Sequence, residues 1–151
     1  MIKEFEFFHG VVFARLLHGT RRLVSIRAFD PDSNAAYVVD DSIGVYIKYS
    51  SKRMTPWRFT FSPEHKDEIQ QLCASIAKVF IVLVCNDDGV VCLSYNEFKK
   101  ILNDQCKGHQ WVSATRHKRE MYSIEGSNGH LESKVGKDDF PNKLFGANCD
   151  A

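Results

Sequence analysis

The chain has 151 residues, of which 44% are hydrophobic and 26% charged, and its formal net charge is +1. This length suits one domain that buries its own core without disulfides or a structural metal. The near-zero net charge excludes a strongly polyelectrolyte protein, although it is compatible with a local basic surface.

The sequence predicts a cytoplasmic protein with no membrane partner. It does not open with the basic, apolar and small-residue order of a signal peptide, and no apolar run approaches the ~20 residues that cross a bilayer. The five cysteines are scattered, and several lie in apolar runs. That distribution is typical of buried free thiols in a reducing compartment.

Helix and strand patterns alternate along the first part of the chain. Apolar residues at near-helical spacing predict a helix over residues 2–18 that ends at Gly19. Strand-like segments follow at 22–29, 36–40, 44–50 and 57–61. The connections between the last three are too short for a crossover helix, so we expect those three to form an antiparallel meander.

A second helix and a buried strand follow this meander. Ser62 suits the N-cap of a helix, and Pro63 suits its first position, where a missing N–H costs nothing. The apolar run from Val79 to Cys85 indicates an interior strand covered on both faces. A tight turn at 86–89 leads into a further strand, and the capping-box pattern that starts at Ser94 predicts a short third helix.

The last third of the chain is richer in short strands. Strand-like segments lie at 111–116, 121–124 and 131–135, and a hairpin turn lies at 127–129. A closing segment at 138–145 is expected to dock on the core. The predicted fold class is therefore α/β (α+β), with a core domain in residues 1–103. Residues 104–151 form a β-rich extension packed on that core.

The segment YVVDDSIGVYIKYSSKRMTPWRFTF, residues 37–61, is the most informative for function. Lys48 lies in the middle of a strand that follows the acidic pair Asp40 and Asp41. With the order helix, three strands, helix and strand, residues 1–103 resemble the core of the PD-(D/E)XK nuclease superfamily. The resemblance implies a restriction-endonuclease-like fold in which carboxylates hold a divalent metal that activates water.

The resemblance also implies roles for particular residues. Asp40 and Lys48 are the candidate catalytic residues, and Asp40 and Asp41 the candidate Mg²⁺ ligands. The family places an acidic residue two positions before the lysine, and this chain has Tyr46 there, which is not an anionic ligand near neutral pH. With a turn at 41–44, Tyr37 would lie opposite Lys48, and Asp40 would be displaced toward the hairpin end.

A carboxylate from elsewhere in the chain could complete such a site. Glu6 of the first helix or Glu68 of the second would serve if either side chain projected toward Lys48, and Glu6 is a third candidate catalytic residue. Without that carboxylate the metal site is degenerate, and no cofactor is expected; Mg²⁺ is expected only for an active nuclease.

Strand alternation defines a candidate binding surface. Tyr46, Lys48 and Ser50 share one face of their strand, which is polar and cationic and suits phosphate. The further candidate binding residues are Lys52, Arg53, Arg58, Arg116, Lys118 and Arg119. The simpler interpretation is a solvated sheet face that binds nothing.

Three functional hypotheses follow from these patterns. The first is a DNA- or RNA-binding or accessory protein with an inactive nuclease-like core, acting in prokaryotic nucleic-acid processing or defence, a context taken from fold analogy alone. The second is an active Mg²⁺-dependent nuclease with a migrated carboxylate. The third is a protein–protein interaction module that docks a protein partner.

Overall fold

The computed structural model describes residues 1–146, which form an α+β fold, and this confirms the predicted fold class. The described helices are α1 (Glu4–His18), α2 (Pro63–Ser75), α3 (Tyr95–Ile101) and α4 (Asn142–Phe145). The described strands are β1 (Ile26–Ala28), β2 (Ala36–Val39), β3 (Ile43–Ser50), β4 (Trp57–Phe61), β5 (Lys78–Cys85), β6 (Gly89–Ser94), β7 (Gln110–Thr115), β8 (Ser123–Gly126) and β9 (Gly129–His130). The last five residues of the predicted extension lie outside the described residues.

The first sheet has the strand order β1-β2-β3-β5-β6. Strands β1, β2 and β3 pair antiparallel, whereas β5 runs parallel to β3 because α2 carries the chain back across the sheet. The β5–β6 hairpin is antiparallel, as predicted. Every residue from Val79 to Cys85 is buried, which confirms that β5 is an interior strand.

Strand β4 belongs to a second sheet, and the prediction that residues 57–61 complete the meander is wrong. Strand β3 pairs with β2 on one side and with β5 on the other, and it does not pair with β4. Instead β4 pairs antiparallel with β7, from Trp57 opposite Ala114 to Phe61 opposite Gln110, in a sheet ordered β4-β7-β8-β9. The antiparallel meander is formed by β1, β2 and β3.

The first sheet is covered on both faces. One face packs against α1 and α4, with Val12, Leu16 and Leu144 in that core. The other face packs against α2, α3 and the inner face of the second sheet. Trp57 is 2% exposed and belongs to this second core, as its strand pattern predicts.

Local signals define most element ends. Ser62 caps α2 by accepting a hydrogen bond from the His65 N–H at 3.2 Å, and Ser94 caps α3 in the same way. The predicted strand at 131–135 does not form, because only an isolated bridge joins Val135 to Tyr122. The short β9 pairs with β8 instead, and it begins at Gly129, the last residue of the predicted hairpin turn.

Candidate functional site

A cleft lies at the carboxyl end of β3, where this strand extends past β2. The pairing of β3 with β2 ends at Tyr46, which lies opposite Ala36. The pairing of β3 with β5 continues as far as Ser50. The cleft has a volume of about 570 Å³. Its polar lining residues are Glu4, His9, Asn34, Tyr46, Lys48, Tyr49, Ser50, Ser51, Arg58 and His65.

Lys48 is the half-buried cation of the cleft wall. Its Nζ lies 3.3 Å from His65 Nδ1, and the backbone N–H of Ser62 donates to the same Nδ1 at 3.2 Å. A backbone N–H can only donate, so Nδ1 carries a lone pair and Lys48 donates to it as well. The His65 proton therefore lies on Nε2.

Burial opposes charge on both partners of this pair. Burial lowers the pKa of Lys48, and the negative charge of Glu68 partly offsets that effect. Burial lowers the pKa of His65 too, and the nearby Lys48 charge lowers it further. A neutral His65 therefore orients the Lys48 ammonium, which has N–H groups left for a ligand because it carries three donors.

Tyr46 is not part of an open polar surface, which corrects the sequence-based expectation. Tyr46 lies on the face of β3 that alternation predicts. The second sheet covers that face, so the Tyr46 side chain is fully buried between the two sheets. Its hydroxyl donates to Glu68 Oε1 at 2.5 Å. Burial, and then this hydrogen bond to Glu68, raises the pKa of the tyrosine, so the hydroxyl stays protonated.

Glu68 is thus the carboxylate that α2 brings toward Lys48. It is half-buried, accepts the hydrogen bond from the Tyr46 hydroxyl and attracts the lysine charge. Glu6 does not project into the cleft. Its Oε1 accepts the Lys3 backbone N–H at 2.9 Å, so it caps the start of α1 in an exposed position.

Asp40 and Asp41 lie at the other end of β3 and form the β2–β3 turn. Both adopt positive φ angles, 53° and 59°, and the Ser42 N–H closes the turn on Val39 O at 3.2 Å. Asp residues tolerate this left-handed conformation better than most side chains. The turn spans residues 40–42 instead of the predicted 41–44, which places Tyr37 opposite Val45 instead of Lys48.

The two aspartates have partners of their own at that turn. Asp40 accepts the Ser25 N–H at 2.9 Å and pairs with Arg22 at 3.6 Å. Asp41 pairs with Arg27 at 3.1 Å on the surface. Five strand residues, about 16 Å, separate this end of β3 from Lys48. The structure therefore does not bring together the Asp40, Asp41 and Lys48 of the implied metal site.

Arg58 links the cleft to the second sheet. It is exposed, lines the cleft, and stacks its guanidinium 4.4 Å from the centre of the Trp111 ring. Lys52 and Arg53 are exposed in the loop between β3 and β4, which we call the rim. In this loop Lys52 Nζ donates a hydrogen bond to Pro56 O at 3.0 Å. Of these three cations, Arg58 alone is among the residues that line the cleft.

Arg116 is a structural cation and not a free binding group. Its guanidinium makes two hydrogen bonds to the Asp88 carboxylate, at 2.8 and 2.7 Å, and its side chain is only 15% exposed. Tyr122 donates to the same carboxylate. The neighbouring Lys118 and Arg119 are exposed on the β7–β8 loop. That loop lies beside the 51–56 loop, because the Arg116 N–H donates to Thr55 Oγ1 at 3.1 Å.

His9 of α1 forms a neutral wall of the cleft. It is 3% exposed, and its Nδ1 lies 3.0 Å from the Tyr37 hydroxyl. That hydroxyl donates to Asn34 O, so His9 Nδ1 is the donor to the tyrosine oxygen. Burial lowers the pKa of His9 to about 4, which keeps the ring neutral near pH 7.

The cleft lining combines the cations of Lys48 and Arg58 with the carboxylate of Glu4. Within residues 1–146, no group of three or more His, Cys, Asp or Glu side chains is arranged to hold a metal. His65 could be anticipated only from its capping position, since its approach to Lys48 depends on how α2 docks.

In the same described part of the chain, none of the helices combines the length and apolarity that crossing a membrane requires.

No protein-family model matches the chain, and no curated protein or solved structure matches it either.

Proposed function

We propose that the cleft binds the phosphate backbone of a nucleic acid without hydrolysing it. The observation that carries this proposal is Lys48, a half-buried ammonium oriented by His65 at the edge of an open cleft. A partly desolvated ammonium with unused donors binds a phosphate oxygen more strongly than a solvated lysine does.

Groups around Lys48 extend this surface along a chain of phosphates. Arg58 supplies a second cation on the cleft wall, and Ser50, Ser51 and Asn34 supply neutral hydrogen-bonding groups. Lys52 and Arg53 continue the positive charge along the rim. Phosphate contacts of this kind position a nucleic acid but do not read its sequence, which agrees with an accessory role in nucleic-acid processing.

The placement of carboxylates supports binding over hydrolysis. Two-metal or one-metal phosphodiester cleavage needs carboxylate oxygens close to the scissile phosphate. Asp40 and Asp41 are committed to the hairpin turn, and Glu68 is bonded to the Tyr46 hydroxyl.

Salt-dependent binding to DNA and RNA tests this proposal. Fluorescence anisotropy with labelled single strands and duplexes should give an affinity that falls with salt, since phosphate contacts release counterions. Lys48→Met should weaken binding about tenfold and reduce the salt slope by about 1. Lys100→Met removes the same charge from an exposed position on α3 outside the cleft and should leave both quantities unchanged.

Absence of salt-dependent binding to any of these ligands would refute the proposal. Equal losses in Lys48→Met and Lys100→Met would also refute it, because the binding would then follow net charge and not the cleft.

An active metal-dependent nuclease is the second candidate, and the position of Glu68 is the observation that favours it. In this alternative Glu68 exchanges its bond to Tyr46 for a divalent metal. Incubation of DNA or RNA with Mg²⁺ or Mn²⁺ should then produce cleavage that is abolished in both Glu68→Gln and Lys48→Met. Cleavage that survives Glu68→Gln would exclude this role.

A further inference from the structure

The cleft extends around an uncovered edge of β3. Beyond Tyr46, no described strand pairs with β3 on the side of β2. Successive side chains of a strand point to opposite faces of the sheet, yet Lys48 and Tyr49 both line the cleft. The cleft therefore has a wall on each side of this edge, one next to α2 and β4 and the other next to α1.

The two walls differ in chemistry. Lys48 and Arg58 supply positive charge to the wall next to α2 and β4. The wall next to α1 carries the rings of Phe5, His9 and Tyr49, and we call these three residues the aromatic wall. This division suits a ligand that has an anionic part and a flat, ring-shaped part.

Contacts between rings hold the aromatic wall in place. The ring of Phe8 stacks on Tyr49, with the ring centroids 4.7 Å apart and the planes inclined by 12°. The rings of Phe5 and His9 meet edge to face, with centroids 5.2 Å apart. Phe5 and Tyr49 are nevertheless partly exposed. Because these rings are already ordered, a flat ligand that packs on them immobilises few additional side chains.

Groups that suit the polar edge of a nucleobase lie beside the aromatic wall. The Ile47 N–H donates to Ala35 O at 2.9 Å. Alternate residues of a strand direct their backbone groups to the same side, so the N–H and C=O of Tyr49 point to the side where β2 has ended. The Glu4 carboxylate accepts a hydrogen bond from the Tyr49 hydroxyl. A carboxylate repels a phosphate but can accept a hydrogen bond from the amino group of a base.

We propose that the cleft binds single-stranded nucleic acid, with an unpaired base packed on the aromatic wall and a neighbouring phosphate at Lys48. This inference rests on the proposed function, because it names the class of nucleic acid that the same cleft holds. The cleft volume of about 570 Å³ is that of a pocket for one small molecule, so it admits a nucleotide and not a double helix. The bases of a duplex reach such a pocket only when they are flipped out of the stack.

Ligands with equal numbers of phosphates test this inference. Fluorescence anisotropy should compare a labelled single strand of DNA with a strand of the same length whose bases are replaced by abasic residues. The protein should bind the intact strand about tenfold more tightly at the same salt concentration, as expected for one stacked base. The two strands should show the same salt slope, since their phosphate contacts are the same. A duplex of the same sequence should bind more weakly than the intact single strand.

Variants of α1 and β3 separate the contribution of the base from that of the phosphate. Phe5→Leu removes a ring from the aromatic wall and should lower affinity for the intact strand several-fold, without changing affinity for the abasic strand. Phe7→Leu makes the same change at a residue of α1 that is 62% exposed and lies outside the cleft, and it should change neither affinity. Lys48→Met should weaken binding of both strands by the same factor. Helical circular dichroism and melting temperature confirm that each variant is folded.

The outcomes distinguish this inference from the proposed function. Equal affinity for the intact and abasic strands would overturn the inference while phosphate binding by the cleft stands. A duplex that binds as tightly as the single strand would also overturn it, and so would equal losses in Phe5→Leu and Phe7→Leu. Absence of salt-dependent binding to all three ligands would refute the proposed function itself, and this inference with it.

Discussion

The two ends of β3 carry charged residues with different partners. At the hairpin end, Asp40 is bonded to Ser25 and Arg22, and Asp41 is bonded to Arg27. Both carboxylates therefore already have partners within the protein. At the cleft end, Lys48 is half-buried beside a neutral His65.

This difference separates charges that stabilise the fold from charges available to a ligand. A charge with a local partner contributes to stability and offers little to a ligand. A partly desolvated charge costs stability, and that cost is recovered when an anion binds. The two ends of β3 should therefore respond oppositely to substitution, in stability at one end and in binding at the other.

Tyr46, between the two ends, should give the largest effect. Tyr46→Ala removes a fully buried ring from the contact between the sheets and should lower the free energy of unfolding by about 3–5 kcal/mol. Tyr46→Phe keeps the ring and removes only the bond to Glu68, for which we expect about 1 kcal/mol. Urea denaturation measures both values. Equal losses would show that the hydrogen bond, and not the ring, dominates.

Arg116 should behave as a structural cation although it is close to the cleft end. Arg116→Met leaves the Asp88 carboxylate without its partner and should cost about 2 kcal/mol at pH 7. The guanidinium holds the pKa of Asp88 below its ordinary value. This stabilisation is therefore present near neutral pH and is lost as pH falls below about 4. The wild-type advantage should disappear in acid denaturation curves, and nucleic-acid affinity should not change.

Asp40 should affect stability without affecting binding. Asp40→Ala loses the bond to Ser25 and leaves a less tolerant side chain at a φ of 53°, so we expect a loss of about 1–2 kcal/mol. Asp40→Asn retains an acceptor and the turn preference, and it should lose less. Thermal melts measure the loss, and anisotropy should show unchanged affinity. A large fall in affinity would mean that the hairpin end belongs to the binding surface.

Lys48 should show the reverse behaviour and the smallest change in stability. Lys48→Met relieves the burial of an ammonium group and should leave the free energy of unfolding equal to or slightly above the wild-type value. Burial lowers the pKa of Lys48, so its unfavourable effect on folding is present near neutral pH and weakens as pH rises toward 10. Chemical denaturation at pH 7 and pH 10 should therefore show a smaller difference between variant and wild type at the higher pH.

Local sequence patterns predicted most elements correctly because their signals act within a few residues. Ser62 and Pro63 define the start of α2, and the apolar run at 79–85 defines an interior strand. Alternation correctly divided β4 into buried and exposed residues, and it correctly assigned the residues of β3 to two faces, although both of those faces are covered. The signals for these elements do not depend on what lies far away in the chain.

Partner choice and exact register were predicted less well. The pattern at 57–61 identifies a strand but cannot say which strand pairs with it, and β7 lies about fifty residues further along. The β2–β3 register depends on where the turn begins, and Asp40 already adopts a left-handed conformation that sequence patterns place later. A shift in the turn moves every cross-strand neighbour of Lys48.

The sequence by itself determined the fold class, the helix caps, the buried strand and the face of β3 that carries Tyr46 and Lys48. The tertiary structure decided what surrounds that face. It buried Tyr46 under the second sheet, brought His65 and Glu68 from α2 to Lys48, and left the aspartates at the opposite end of the strand. The physical reason is the sequence distance over which each interaction acts. Helix caps and strand alternation depend on neighbouring residues. The environment of a charge depends on segments that are distant in sequence and meet only when the layers pack.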